Sequence, residues 1–257
     1  MDMLHEAKES KSARLTMDAP WRWLAEGWND LARAPALSIG YGVAILAGGA
    51  LILYALWRTG MSSMIPVAFG VFALVGPILA TGLYEISRRL GAGEPLTPSA
   101  IVFVKTKSPR QIALIGFFLM FAVLVWLRVA MLLYALFSSA SYLPLDDFLA
   151  FAISTPEGLS MLVIGALVGG GIAFSIYLLT VVSIPMLMNE ETDAFSAIAA
   201  GVNAFRAHPA TMALWAWLIA IITAAGVATF FVGLAVAFPL LGHASWHAYK
   251  EIMGRDD

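Results

Sequence analysis

The sequence predicts an all-α membrane protein with six transmembrane helices, grouped as three hairpins that each follow a short amphipathic interfacial helix. Three observations lead to this fold class. The composition is too apolar for a water-soluble protein, long apolar segments match the thickness of a bilayer, and a pattern of glycines and prolines recurs three times along the chain.

The composition indicates lipid as the solvent. Of 257 residues, 60% are hydrophobic and only 12% are charged, whereas a soluble domain averages about 25% charged residues. The net charge of −2 indicates neither a nucleic-acid-binding face nor an acidic tail. The chain contains no cysteine, which excludes disulfides, thiolate nucleophiles and cysteine-ligated metal centres.

Four segments are long and apolar enough to cross a bilayer, which requires about 20 apolar residues in a helix. They are Ala36–Trp57, Met64–Tyr84, Ile112–Phe137 and Leu159–Met188. A fifth segment, Thr211–Leu241, is too long for one upright helix and short for two. Gly226 lies near its middle among small residues, so the segment is either one steeply tilted span or a tight hairpin of two short spans.

Nearly all lysines and arginines fall on one side of the predicted membrane. In a six-span arrangement the exceptions are Arg58, in an opposite-side loop, and Arg128, inside a span. The residues that share one side are Lys8, Lys11, Arg14, Arg22, Arg33, Arg88, Arg89, Lys105, Lys107, Arg110, Arg206, Lys250 and Arg255. Because basic loops face the cytoplasm, we expect a bacterial cytoplasmic (inner) membrane protein with both termini inside. Five spans would place Lys250 and Arg255 outside, which favours six.

An internal repeat supports the same count. Without gaps, AEGWNDLARAPA (25–36) and AAGVNAFRAHPA (199–210) share an alanine, a glycine, an asparagine, a proline and a final alanine, and a weaker copy at 99–110 keeps Pro109. Each copy directly precedes a span. The predicted organisation is a polar cytoplasmic tail (1–17), one transmembrane domain (18–252) with repeat units 18–90, 97–190 and 192–252, and a second polar tail (253–257).

Each repeat unit opens with a short helix and closes with a proline. Helix-start residues precede the three short helices, namely Asp18 with Pro20, Thr97 with Pro98, and Thr192 with Asp193. In the first helix an apolar stripe of Trp21, Trp23, Leu24, Trp28 and Leu31 is predicted to face lipid, and Arg22, Glu26, Asp30 and Arg33 to face water. Late prolines, at positions 77, 185 and 239, are expected to bend the returning spans.

With these residues in view, the chain resembles a bacterial family of predicted integral membrane proteins of unknown function, some members of which are labelled as cytochrome c oxidases. The similarity runs from about Trp21 to Lys250. It rests on the opening WLAEGWNDLARAP and on GPILATGLYEISRRLGAGE, which closes the second span. The resemblance implies a membrane topology and carries no catalytic residues.

The histidines do not suit a haem–copper centre, which needs several imidazoles in mid-membrane on different helices. Of the four, His5 lies in the tail, His208 precedes the fifth span, and His243 and His247 lie near the end of the last span. His243 and His247 share a helix face, a spacing that can seat a metal, with Glu251 one turn further on. The favoured interpretation is instead a pair of interfacial histidines in an aromatic belt with Trp246 and Tyr249. No cofactor and no metal site is predicted.

Arg128 is the one ionisable side chain well inside a predicted span. Charge within the membrane is costly and often functional. Arg128 falls in the outer third of its helix, from which it can reach the surface or pair with Asp146, Asp147 or Glu157. Anchoring or structural pairing is favoured over a role in substrate or proton transfer, and Arg128, His243 and His247 are the candidate functional residues.

Small residues on the spans offer close helix packing. Gly165, Gly169, Gly170 and Gly171 recur in the fourth span, and Gly40, Gly42, Gly48 and Gly49 in the first. Packing within the chain is the favoured use, and homo-oligomerisation is the alternative. Because no nucleophile–base pair or nucleotide motif is present, we expect a non-enzymatic structural, accessory or assembly component that contacts the lipid bilayer and another membrane protein or a respiratory complex, with no nucleic acid. The alternative is a small transporter or lipid-handling protein.

Overall fold

The computed structural model describes residues 15–138, 143–229 and 231–255, and within these ranges the chain is helical and contains no strand. The helices are α1 (Ala19–Arg33), α2 (Pro35–Arg58), a short 3-10 helix (Ser62–Met64), α3 (Ile65–Leu79), α4 (Thr81–Ala92), α5 (Pro98–Val102), α6 (Pro109–Phe137), α7 (Leu145–Ser154), α8 (Pro156–Thr180), α9 (Ser183–Asn189), α10 (Ala194–Ala207), α11 (Pro209–Ala228) and α12 (Leu234–Ile252). The predicted all-α class is confirmed. The tails 1–17 and 253–257 lie partly outside the described residues.

Five helical stretches in the described part of the chain are long and apolar enough to cross a membrane. They are Pro35–Arg58, Ser62–Ala92, Pro109–Phe137, Pro156–Asn189 and Pro209–Ala228. The first four contain the four spans that hydropathy predicts, with longer ends because the helices continue into flanking polar residues. The sixth span and the three-fold repeat remain predictions.

The ambiguous segment Thr211–Leu241 consists of two helices. The first, α11, ends at Ala228, and α12 begins at Leu234 after a short turn. The two helices pack closely, since a Cβ atom added to Gly226 would lie 2.6 Å from Cδ2 of Leu234. The segment therefore folds back on itself as a hairpin.

The described residues form two compact units, and α12 lies at the centre of the first. Unit 1 comprises the residues up to Leu46, Pro77–Ala113 and the residues from Leu178 onward. Within it, α1, α4, α9 and α11 all pack against α12. The buried side chains of α12 are both apolar and polar, and they include His243, Trp246 and Tyr249. Unit 1 is therefore built around a returning helix that carries buried polar groups.

The face of α1 that packs on α12 differs from the predicted apolar stripe. Trp23, Gly27 and Asp30 are buried, whereas Trp21 and Trp28 are 56% and 55% exposed. The prediction that Asp30 faces water is wrong, because its carboxylate is satisfied by polar partners on α12. The helix has two apolar faces, one directed into the protein and one directed outward, and periodicity alone does not distinguish them.

Local sequence signals set most helix starts. Prolines begin α2, α6 and α11, where the missing N–H costs no hydrogen bond. The side chain of Thr97 accepts from the backbone N–H of Ala100, and that of Asp193 accepts from Ser196. Asp18 occupies the N-cap position of α1 without a side-chain capping bond.

The late prolines coincide with helix interruptions in two of three cases. Near Pro77, α3 ends at Leu79 and α4 starts at Thr81, and near Pro185 the helix is interrupted between α8 and α9. Around Pro239, α12 continues without interruption. Proline frees the carbonyl four residues earlier, and the local packing determines whether the helix breaks there.

Unit 2 comprises Ala47–Gly76 and Leu114–Tyr177 and is held by one large aromatic side chain and one small cluster. The indole of Trp126 donates from Nε1 to the carbonyl oxygen of Val67 at 3.0 Å. Cβ atoms added to Gly70 and Gly169 would lie 2.4 and 2.8 Å from this indole, so both glycines make room for it. The short helix α7, which hydropathy did not predict, contributes to a cluster of Phe148, Ala152 and Met161.

Candidate functional site

The two histidines of α12 lie in a buried polar cluster of unit 1. They are one turn apart and meet side chains from α1, α2 and α4. The members of this polar cluster are Glu26, Asp30, Ser38, Ser87, His243 and His247. The belt interpretation is corrected for His243, which is fully buried, and for Trp246 and Tyr249, which are also buried.

His243 is hydrogen-bonded on both sides of its ring. Its Nε2 atom lies 2.9 Å from the hydroxyl of Ser38, and its Nδ1 atom lies 2.8 Å from the hydroxyl of Ser87. Both serines are almost completely inaccessible to solvent, at 0% and 2% exposure. A neutral imidazole, with one donor and one acceptor nitrogen, satisfies both contacts.

Either neutral tautomer of His243 is compatible with these two contacts. A serine hydroxyl can both donate and accept, so Ser38 and Ser87 can each meet a protonated or an unprotonated ring nitrogen. The two serines therefore hold the imidazole between α2 and α4 in either tautomer.

His247 lies between two carboxylates of α1. Its Nε2 atom is 2.7 Å from Oδ2 of Asp30, and its Nδ1 atom is 3.0 Å from Oε2 of Glu26. His247 therefore ties α12 to α1 through two side chains that lie one turn apart on α1.

The environment of Asp30 favours its ionised form. Burial acts to raise the pKa of Asp30, but hydrogen bonds from His247 and Ser87, with the nearby imidazoles, outweigh burial and hold that pKa below its ordinary value of 3.8. Arg33 approaches the same carboxylate at 3.9 Å. Asp30 is therefore the anion around which the polar cluster is organised.

Glu251 does not complete a metal site with the histidines. Its carboxylate pairs with Arg22 and accepts from Nε1 of Trp23 at 2.7 Å. No group of three or more metal-ligating side chains with metal-binding geometry occurs among the described residues. Glu251 instead closes the far end of the contact between α1 and α12.

Arg128 lies in unit 2 on an exposed part of α6. Among the residues that the structure describes, no carboxylate oxygen lies within 4.0 Å of its guanidinium, and neither Asp146, Asp147 nor Glu157 pairs with it. Arg128 belongs to unit 2, whereas His243 and His247 belong to unit 1.

Sequence reasoning missed Ser38, Ser87 and Asp30. The two serines carry no periodic or motif signal, and Asp30 resembles an ordinary polar residue of an amphipathic helix. One signal was available, since His243 and His247 are polar positions in an otherwise apolar returning helix and required buried partners. The chemistry of the polar cluster is self-contained, because its buried donors and acceptors satisfy one another and Ser38 is closed to solvent.

Comparison with known proteins supports the membrane assignment. The family described as Predicted integral membrane protein (DUF2189) matches residues 64–189. This match includes the whole segment GPILATGLYEISRRLGAGE and is shorter than the predicted similarity from Trp21 to Lys250. Searches of curated proteins and of solved structures returned no match. Over residues 64–189, from the start of the second span to the end of α9, the chain is similar to this family of predicted integral membrane proteins.

Proposed function

We propose that the protein is a non-enzymatic structural, accessory or assembly component of a membrane complex in the bacterial inner membrane. The observation that carries this proposal is a set of glycines on span helices of unit 2 that pack against none of the residues described by the structure. A Cβ atom added to Gly48, Gly49, Gly170 or Gly171 would meet no neighbouring atom within 4 Å.

These open glycines contrast with those that the fold uses. Gly42 and Gly169 are in tight contact with α12 and Trp126, respectively, so part of the predicted internal packing is present. Glycine in a helix interior costs about 1 kcal/mol relative to alanine. Paired glycines on an outward helix face therefore support a second use, the close approach of a helix from another chain.

Arg128 supports the same proposal. Its side chain is exposed on an apolar helix, and its cost in lipid falls when a carboxylate or phosphate lies nearby. No described residue of this chain places a carboxylate within 4.0 Å of the Arg128 guanidinium. In the membrane, a carboxylate of a partner helix or a lipid phosphate would pair with Arg128.

The test is purification of the tagged protein from native membranes in a mild detergent, followed by mass spectrometry and a visible absorption spectrum. We expect a stoichiometric membrane partner, and haem absorbance would identify it as a respiratory complex. The double variant Gly170→Leu/Gly171→Leu should lose this partner, since leucine blocks close approach. Gly91→Leu, at another open glycine near the end of α4, is the matched control and should keep it.

Recovery of the folded protein with lipid alone would contradict the proposal and favour the alternative, a small transporter or lipid-handling protein. That alternative would use a cavity lined by Arg128 and the kinked returning helices. Unit 1 has a groove of about 470 Å³ that is lined by residues 107–111 and 191–193.

A further inference from the structure

The groove of unit 1 is formed where two connecting segments lie side by side. The backbone N–H groups of Lys107 and Ser108 donate to the carbonyl oxygens of Met188 and Leu187, at 3.1 and 3.0 Å. The hydroxyl of Ser108 donates to the carbonyl oxygen of Glu190 at 2.9 Å. These bonds join the segment before α6 to the end of α9 and to Glu190, which follows it.

Two further hydrogen bonds fix the second wall. The N–H of Thr192 donates to the hydroxyl of Ser108 at 3.2 Å, and the N–H of Ala194 donates to Oε1 of Gln111 at 3.1 Å. The groove is therefore pre-organised before any ligand binds, which reduces the entropy cost of binding.

The rim of the groove carries charges of both signs. Lys107 and Arg110 line one side, and Glu191 and Asp193 line the other. Among the described residues, Lys107, Arg110 and Glu191 make no ion pair within 4.0 Å, and all three side chains are exposed. Hydrogen bonds from the Ser196 side chain and backbone lower the pKa of Asp193, so this carboxylate is ionised at neutral pH.

The groove adjoins the ends of two candidate membrane spans. Pro109 begins one candidate membrane span, and Asn189 ends another. Polar residues directly at the ends of apolar spans occupy the interfacial region. On the segment just before the groove, Val102 and Phe103 are 67% and 77% exposed, and such apolar side chains suit the boundary with acyl chains.

We propose that this groove binds the headgroup of a phosphoethanolamine lipid. The phosphate is held by Lys107 and Arg110 beside the N-terminus of α6, and the primary ammonium donates to Glu191 and Asp193. The basic side and the acidic side of the groove together determine which headgroup it prefers. An anionic headgroup without an ammonium would bring a second negative charge to two carboxylates and no cation to balance them, and a quaternary ammonium has no N–H to donate. This inference does not depend on the proposed assembly role.

The test is native mass spectrometry of the full-length protein, released from detergent after equilibration with lipids of identical acyl chains. The three headgroups are phosphoethanolamine, phosphocholine and phosphoglycerol. We expect preferential retention of the phosphoethanolamine lipid. Because exposed ion pairs contribute about 0.2–1 kcal/mol each, Glu191→Gln should lower its retention about 1.4- to 5-fold relative to the phosphocholine lipid. Arg110→Gln should instead lower the retention of all three lipids by a similar factor, since all three carry the phosphate.

Two exposed residues outside the groove serve as matched controls. Glu157→Gln and Arg206→Gln remove the same charges and should leave the lipid preference unchanged. All four side chains are exposed, so the variants are expected to fold. Equal retention of the phosphoethanolamine and phosphocholine lipids would overturn the proposal. Equal effects of the control variants, or displacement of the lipid by soluble phosphoethanolamine at an equal concentration, would also overturn it.

Discussion

At Gly42, the absence of a side chain allows α2 to lie on α12. Pro239 has no N–H, so the carbonyl of Ala235, four residues earlier, is left without its helical partner. That carbonyl oxygen faces Gly42, and a Cβ atom there would lie 2.4 Å from it. One turn earlier on α2, Ser38 meets His243. The proline of one helix and the glycine of another therefore form a single contact.

The effect of a glycine-to-alanine substitution on stability should differ strongly between Gly42 and its neighbour Gly40. We expect Gly42→Ala to lower the stability of unit 1 by about 1–3 kcal/mol, because the methyl group forces backbone displacement. Gly40→Ala, two residues away, meets no atom within 4 Å and should be neutral or slightly stabilising. Thermal unfolding of both variants in the same detergent measures the difference. Equal behaviour of the two variants would disprove the contact.

Asp30 should make stability depend on acidity. Because its pKa is lower in the folded protein than its ordinary value of 3.8, its contribution is complete above about pH 4 and is lost as the pH falls further. We expect Asp30→Asn to cost about 1–3 kcal/mol at neutral pH and to flatten the acid limb of the stability profile. The groups facing Asp30 are His243 and His247 from α12, Arg33 from α1 and Ser87 from α4.

The control for this prediction is Asp18→Asn, since Asp18 is exposed and makes no side-chain capping bond. Stability is measured by denaturant unfolding between about pH 3 and about pH 7. An unchanged acid limb in Asp30→Asn would show that Asp30 does not organise the polar cluster.

At the scale of a helix, α1 illustrates how one amphipathic pattern serves two surroundings. Trp23 is fully buried, packs edge-on against Trp215 with ring centroids 5.5 Å apart, and donates to Glu251. Trp21 and Trp28 are exposed on the outer side. The outward tryptophans suit the membrane interface, and the inward one joins α1 to the rest of unit 1.

Trp23 and Trp28 should therefore respond differently to truncation. We expect Trp23→Ala to destabilise the protein by about 3–5 kcal/mol, since it leaves a large cavity and removes one hydrogen-bond donor from Glu251. Trp28→Ala should change the unfolding free energy by less than about 0.5 kcal/mol in detergent. Thermal shift measurements on the two purified variants test this. A larger loss in Trp28→Ala than in Trp23→Ala would reverse the assignment of the two faces.

At the scale of the whole molecule, the contacts of the three short helices follow the predicted repeat. α5 packs on α4, α10 packs on α9, and α1 packs on α12. In terms of the three predicted units, each short helix contacts the last helix of the unit before it. For α1, which opens the first unit, that helix is α12 of the third unit. This pattern supports the prediction of three related hairpins, and α12 would then be the sixth span.

Cysteine accessibility tests the span number cleanly, because the natural chain has no cysteine. With six spans, Ser99→Cys and Met253→Cys should react with a membrane-impermeant maleimide only after permeabilisation, whereas Thr59→Cys should react in intact cells. Ser99 and Thr59 are exposed, and Met253 is partly exposed. Labelling of Met253→Cys in intact cells would instead indicate five spans and an external C-terminus.

The amino-acid sequence by itself determined the properties that depend on local composition. Four spans, the prolines that begin α2, α6 and α11, and the membrane class follow from stretches of neighbouring residues, because crossing lipid requires a continuous apolar helix. The resemblance to a family of integral membrane proteins is confirmed over residues 64–189. Hydropathy left Thr211–Leu241 ambiguous, since its length fits either arrangement.

Only the tertiary structure decided which polar groups meet. Ser38, Ser87 and Asp30 come from three helices that are distant in sequence, and His243 and His247 find them because α12 is packed on all three. The burial of Asp30 and the outward position of Trp28 likewise depend on the neighbours of α1. A helical period of 3.6 residues defines the faces of a helix, but the packing of other helices determines which face is buried.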